Sequence, residues 1–112
     1  MRRMLEHILA QYGSEMTLHM AEGERRVRAF LQPVTAKGLE AARRTIQELG
    51  EIPEERYLYI GPAQTPLQED DSVEFQAERY RVCRAQTLVV ADEALYVWAL
   101  ARKEGGNDPW TS

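Results

Sequence analysis

Cysteine is almost absent from this chain of 112 residues, where Cys83 stands alone. One thiol cannot close an internal disulfide, form a redox pair or build a thiolate metal site within one chain, so a reducing compartment and cytoplasmic synthesis are expected. Long apolar runs are missing too. Nothing approaches the ~18 to 20 consecutive apolar residues that a membrane-spanning helix requires. The basic start Met1-Arg2-Arg3 is followed by Glu6, His7 and Gln11, where a secretory signal needs an unbroken apolar core. The chain is therefore expected to work away from membranes. A positive excess is also lacking: the formal net charge is −4, which disfavours general affinity for nucleic-acid phosphates.

The residues that carry chemistry are as sparse. His7 and His19 fall on different elements, and neither belongs to a ligand spacing such as His-Glu-x-x-His. Ser14, Ser72 and Ser112 lack the Gly-x-Ser-x-Gly elbow, and Gly105-Gly106 has no following helix or Lys-Ser pair to cradle a phosphate. Cys83 sits between Val82 and Arg84 in a strand-like run, where a small buried thiol is expected. Glu69-Asp70-Asp71 has the oxygen chemistry to chelate a hard cation, yet adjacent carboxylates ahead of a strand more often solvate a loop and discourage edge pairing. We therefore expect no catalytic, cofactor-binding or metal residue and no cofactor, and an enzyme is not the expected class.

What is present describes one small domain, since domains commonly run about 100 to 200 residues. Met1, Met4, Leu5, Ile8, Leu9 and Tyr12 recur at spacings of three and four, which predicts an amphipathic helix over 1–13 ended by Gly13. Met16, Leu18 and Met20 then alternate with Thr17, His19 and Ala21 as in a half-buried strand. Gly23 supplies a turn, and Arg26–Gln32 reads as its partner strand, closed by Pro33. Residues 34–55 form an excursion with helical composition from Leu39 to Leu49 but loop-like flanks at Gly38, Gly50 and Pro53, consistent with a helix, a long hairpin that orders only against a neighbour, or a disordered segment.

Strand Arg56–Ile60 follows, closed by the turn pair Gly61-Pro62. Ser72–Phe75 and Tyr80–Ala85 read as a hairpin turning at Gln76–Arg79. Thr87–Val90 and Ala94–Ala101 read as a second, joined by Asp92-Glu93. Leu95–Leu100 is apolar on both faces, as in a central strand or one at a contact between subunits. The fold expected is mainly β: a small β-barrel or sandwich of six to seven antiparallel strands with a short N-terminal helix. It occupies 1–104, with 105–112 as a flexible C-terminal tail.

The basic spots Arg25-Arg26 with Arg28, and Arg43-Arg44, are interspersed with Glu22, Glu24, Glu40 and Glu48, as in mixed-charge faces. Tyr57, Tyr59, Tyr80, Tyr96 and Trp98 supply core, and Tyr and Trp are also favoured anchors of protein interfaces.

The order of motifs carries a resemblance. Gln32-Pro33 closes an early strand. An excursion follows, then Arg56-Tyr-Leu-Tyr-Ile-Gly-Pro62, Leu67 with Asp71-x-Val73, Tyr80-x-Val82, and finally Tyr96-Val-Trp98. Over roughly residues 15 to 101 this resembles the head-to-tail connector proteins of long-tailed bacteriophages and prophages, the adaptor or stopper (head completion) group. The chain departs from that pattern at Asp70 and Ala77, where the family usually has glycine. The resemblance implies a structural virion protein made in the bacterial host cytoplasm. It would assemble as a homo-oligomeric ring at the head-tail interface, between portal or adaptor and tail proteins, with DNA only passing through the channel.

The interface residues expected on this reading are Arg43, Arg44 and Glu48 in the excursion and Trp98 in the two-faced strand. A tail completion or minor tail protein would share the size, β content and lack of a site. A small regulatory module that recruits a host protein through a sheet edge is a different class, expected to stay monomeric.

Overall fold

The computed structural model describes residues 2–34 and 56–104; the excursion from 35 to 55 and the tail 105–112 lie outside the described residues. Helix α1 spans Arg2–Tyr12. Leu9 is buried and Leu5 and Ile8 are half-buried, whereas Met4 and Tyr12, expected on the same face, are 60% and 67% exposed. The apolar stripe is thus wider than the surface it covers. Gly13 ends the helix by donating its N–H to the Leu9 carbonyl at 2.8 Å, and the Arg28 guanidinium donates to the Gly13 carbonyl at 2.6 Å. A side chain at position 13 would press on the Ala29 backbone nitrogen at 3.0 Å, so the close approach of helix end to sheet requires glycine here. The helix contacts the strands at Gly23–Pro33, Tyr57–Pro62 and Glu93–Lys103.

Six strands follow: β1 (Ser14–Met20), β2 (Gly23–Pro33), β3 (Tyr57–Pro62), β4 (Ser72–Phe75), β5 (Glu78–Val90) and β6 (Glu93–Lys103). They close into an antiparallel barrel in the order β1-β2-β3-β6-β5-β4, with β4 returning to β1 through Thr17–Glu74, Leu18–Val73 and His19–Ser72. The protein is therefore a barrel and not a sandwich. The period-2 alternation puts Met16, Leu18, Ala29, Tyr59, Val73, Tyr80, Val82, Val97, Ala99 and Ala101 inside, joined by Leu67 from the loop between β3 and β4. Burying a Leu or Val side chain in such a core contributes roughly 1.5–3 kcal/mol, so this one cluster supplies most of the fold's driving force.

Several sequence boundaries need correction. Gly61 and Pro62 do not turn the chain; they continue β3 opposite Val97 and Tyr96. Glycine at 61 has another cause. Tyr59 is fully buried and points to the same side two residues earlier, so its ring and hydroxyl occupy the space a Cβ at position 61 would need. The runs Tyr80–Ala85 and Thr87–Val90 are one strand, because Gln86 takes an exposed position and does not interrupt the ladder.

The first hairpin turn is shorter than the sequence suggests, Gln76-Ala77, and the second lies one residue earlier, Ala91-Asp92, leaving Glu78, Arg79 and Glu93 within strands. Each pair has positive φ at both residues (52° and 66°; 52° and 65°), as a two-residue type I′ turn requires. Neither carries the usual Asn-Gly or Asp-Gly signature. At the base of the excursion, Val34 donates its N–H to the Arg56 carbonyl at 2.9 Å, one step beyond the Pro33–Tyr57 pair. The two ends of the excursion therefore stand side by side on the rim of the barrel.

Candidate functional site

The outer sides of β2, β3, β6 and β5 form the most distinctive surface. Register aligns Phe30, Ile60, Trp98 and Gln86 in one row across the four strands, and Gln32, Leu58, Leu100 and Arg84 in the next. Pro62, Tyr96 and Leu88 make a third row. The apolar members of all three rows are half-buried.

Strand β6 explains the two-faced pattern of the sequence. Leu95, Val97, Ala99 and Ala101 are buried, while Ala94, Tyr96, Trp98 and Leu100 lie half-buried on the opposite side. The strand is central, between β3 and β5, and its second apolar face belongs to the outside of the barrel. Trp98 thus stands at the middle of an apolar sheet face, a surface suited to packing against another layer. Arg43, Arg44 and Glu48, expected to share an interface with it, lie outside the described residues.

Charged side chains gather at two other places. His19, 18% exposed, lies with Nδ1 3.2 Å from a Glu24 carboxylate oxygen and Nε2 2.8 Å from one of Glu74; the Arg79 guanidinium is 3.3 Å from Nε2. These partners come from β2, β4 and β5, so His19 fastens the narrow seam where β1 and β4 close the barrel. The two ring nitrogens face carboxylates on opposite edges of the imidazole, so these groups bridge strands and do not converge as a ligand set does. Among the described residues no group of three His, Cys, Asp or Glu side chains is arranged to hold a metal ion.

The second place is a polar notch lined by Arg56, Arg81, Arg102, Glu69, Asp70, Val82 and Cys83. Arg81 and Arg102 are ladder partners on β5 and β6. Like charges in that position repel, and here carboxylates offset them: Arg81 lies 3.2 Å from a Glu104 oxygen, and Glu69 and Asp70 line the same notch. The other Glu104 oxygen accepts from the Ser72 hydroxyl at 3.0 Å. Cys83 is half-buried and not the buried thiol expected, because the ladder shifts register between Val82 and Arg84 and leaves it unpaired in a bulge. Of the acidic run, Asp71 accepts a hydrogen bond from the Gln68 backbone N–H at 2.7 Å, which shapes the loop ahead of β4.

Among the described residues, Tyr59 is the one with a buried side-chain polar atom lacking a partner. Its hydroxyl has no hydrogen-bond partner among the described residues, and burial pushes the phenol well above its ordinary value. It lies inside the barrel, closed off from any surface concavity, so it serves packing. Sequence reading placed Tyr59 in a strand but missed its coupling to Gly61; the spacing Tyr59-x-Gly61 was the available signal. The His19 bridge left no local signal, since Glu74 is 55 positions away. No protein-family model, curated protein or solved structure matches this chain.

Proposed function

We propose that the chain is a structural virion protein of a tailed bacteriophage or prophage, a head-to-tail connector of the stopper or head completion type. Copies would form a ring that joins portal to tail and retains packaged DNA. The observation that carries this reading is the ordered motif series from Gln32-Pro33 to Tyr96-Val-Trp98. Its members fall on the end of β2, on β3, in the loop between β3 and β4 (Leu67), at the start of β4, on β5 and on β6. No step of such a role needs catalysis. It needs a rigid small body, surfaces for neighbours and a channel past which DNA slides, for which a net negative chain is suited.

Two features of the barrel support the reading. Val34 and Arg56, the described residues on either side of 35–55, are hydrogen-bonded to each other on one rim of the barrel. The apolar rows around Trp98 lie on the outer side of the barrel, opposite the core, on strands that α1 also contacts. Ring closure would use heterologous contacts, in which two different faces of one copy meet its two neighbours.

The test is deletion of the open reading frame from the phage or lysogen that carries it, followed by induction and negative-stain electron microscopy. A connector predicts free tails beside unjoined or emptied heads, with whole particles restored by a plasmid copy. Intact infectious particles at normal yield would remove the connector role and leave the small binding module as the leading reading.

A further inference from the structure

The segment that follows β6 is polar and turn-rich, yet it carries a tryptophan: Gly105-Gly-Asn-Asp-Pro-Trp-Thr-Ser112. Its one charged side chain is Asp108. A Trp left in water forfeits the burial that a nearby apolar surface offers, and such a surface lies close to where the segment begins. Glu104 follows β6 directly and is fixed to the barrel by donating its N–H to the Arg79 carbonyl at 2.8 Å. At that end of the outer face Leu58 and Leu100 stand side by side, both half-buried. Helix α1 meets the barrel farther along, where Gly13 closes on Ala29 and the Gln64 amide donates to Glu6 at 2.6 Å.

Reach decides which row the segment can meet. From Glu104 to Trp110 the chain extends at most roughly 20 Å. Measured back along β6 at ~3.3 Å per residue, Leu100 lies about 13 Å from Glu104 and Trp98 about 20 Å. Turning back uses part of the chain, and Gly105-Gly106 allows the reversal because glycine enters left-handed backbone without steric cost. Trp110 therefore reaches Leu58 and Leu100 and falls short of the row of Trp98.

Charge selects the same place. Arg84 is the ladder partner of Leu100 on β5, and Arg102 lies two positions beyond Leu100 on the same outer side of β6; both are exposed. Arg84 is in no ion pair among the described residues. Asp108, two positions before Trp110, falls beside these two cations when Trp110 sits on Leu100. We propose that 105–112 turns back on its own barrel, with Trp110 against Leu58 and Leu100 and Asp108 against Arg84 and Arg102. Docked there, it covers one end of the outer face and leaves the row of Phe30, Ile60 and Trp98 for a neighbour. The contact lies within one chain and does not depend on the connector role.

The experiment is nuclear magnetic resonance of the isotope-labelled full chain at low and high concentration, beside Trp110→Ala, Asp108→Arg and Asp108→Arg combined with Arg84→Glu. Backbone order parameters at 108–111 should match the barrel at about 0.85, where a loose segment falls below about 0.6. Trp110→Ala should shift the Leu58 and Leu100 methyl signals, which lose the indole ring current, and should bring the order parameters down. Asp108→Arg should lower them too, since like charges then meet, and adding Arg84→Glu should recover part of the loss. Unchanged signals from the core methyls of Val73 and Val97 check that each variant folds. Order parameters below about 0.6 in the wild type overturn the contact. So do Leu58 and Leu100 methyls that ignore Trp110→Ala, or a segment whose order ignores Asp108→Arg. Order that appears only at high concentration also overturns it, by placing the segment on another copy.

Discussion

Strand β5 lives in two environments. Tyr80 and Val82, in its first half, are buried, with strand or loop backbone bonded on both sides; Val89 and Val90, at its far end, are exposed and, among the described residues, paired only with β6. The cause is length: β5 has 13 residues and its neighbour β4 only 4. Barrel closure is thus local. A strand that outruns its neighbour can contribute core at one end and an exposed edge at the other, and its composition follows, with aromatic and branched residues inward early and an uncharged run late.

The largest way to break the held region is Gly61→Ala. The added methyl must displace the Tyr59 ring, which is fully buried and has nowhere to move. Overpacking of this kind costs about 3 kcal/mol, read as a lowered urea midpoint at unchanged m-value. Adding Tyr59→Leu should recover part of that loss, because the two positions compete for the same space and their effects should not add. An alanine tolerated without loss would mean the ring does not lie over position 61.

A smaller effect sharpens the contrast along β5 itself. Val82→Ala removes two methyls from a site that is 1% exposed and should cost about 2 kcal/mol. Val89→Ala, the same chemical change at a site 55% exposed, should stay within about 0.5 kcal/mol. Equal losses would show that the far end of the strand is packed as tightly as the first.

This contrast also marks how much was legible in the sequence. The helix end at Gly13, the alternation of Met16, Leu18 and Met20 and the two-faced run from Leu95 to Leu100 are local patterns, and each appears in the fold where its period places it. The hairpin turns were misplaced by a residue or two, since Gln76-Ala77 and Ala91-Asp92 adopt left-handed backbone without the residues that favour it. Tertiary pairing imposes those conformations. Register was the level out of reach: whether β4 stops at Phe75 while β5 continues depends on which strand lies beside which, and so do the His19 bridge, the rows around Trp98 and the exposed far end of β5.

An effect smaller than those at Gly61 and Val82 concerns the Tyr59 hydroxyl, buried without a hydrogen-bond partner among the described residues. An unsatisfied buried hydroxyl carries a desolvation penalty, so Tyr59→Phe should stabilise the fold by about 1 kcal/mol. The same burial raises the phenol above its ordinary value by disfavouring the phenolate. In the unfolded chain the phenol ionises near pH ~10, while in the barrel it keeps its proton to higher pH. The contribution from the protonated phenol is therefore complete below that value, and stability falls as pH rises above it, because the unfolded state then binds fewer protons. Denaturant midpoints followed from neutral pH to about 11 should decline more steeply for the wild type than for Tyr59→Phe, widening the gap between them. Parallel curves would mean that the hydroxyl reaches solvent or finds an acceptor, and the interior of the barrel would then be less dry than its first-half strand contacts imply.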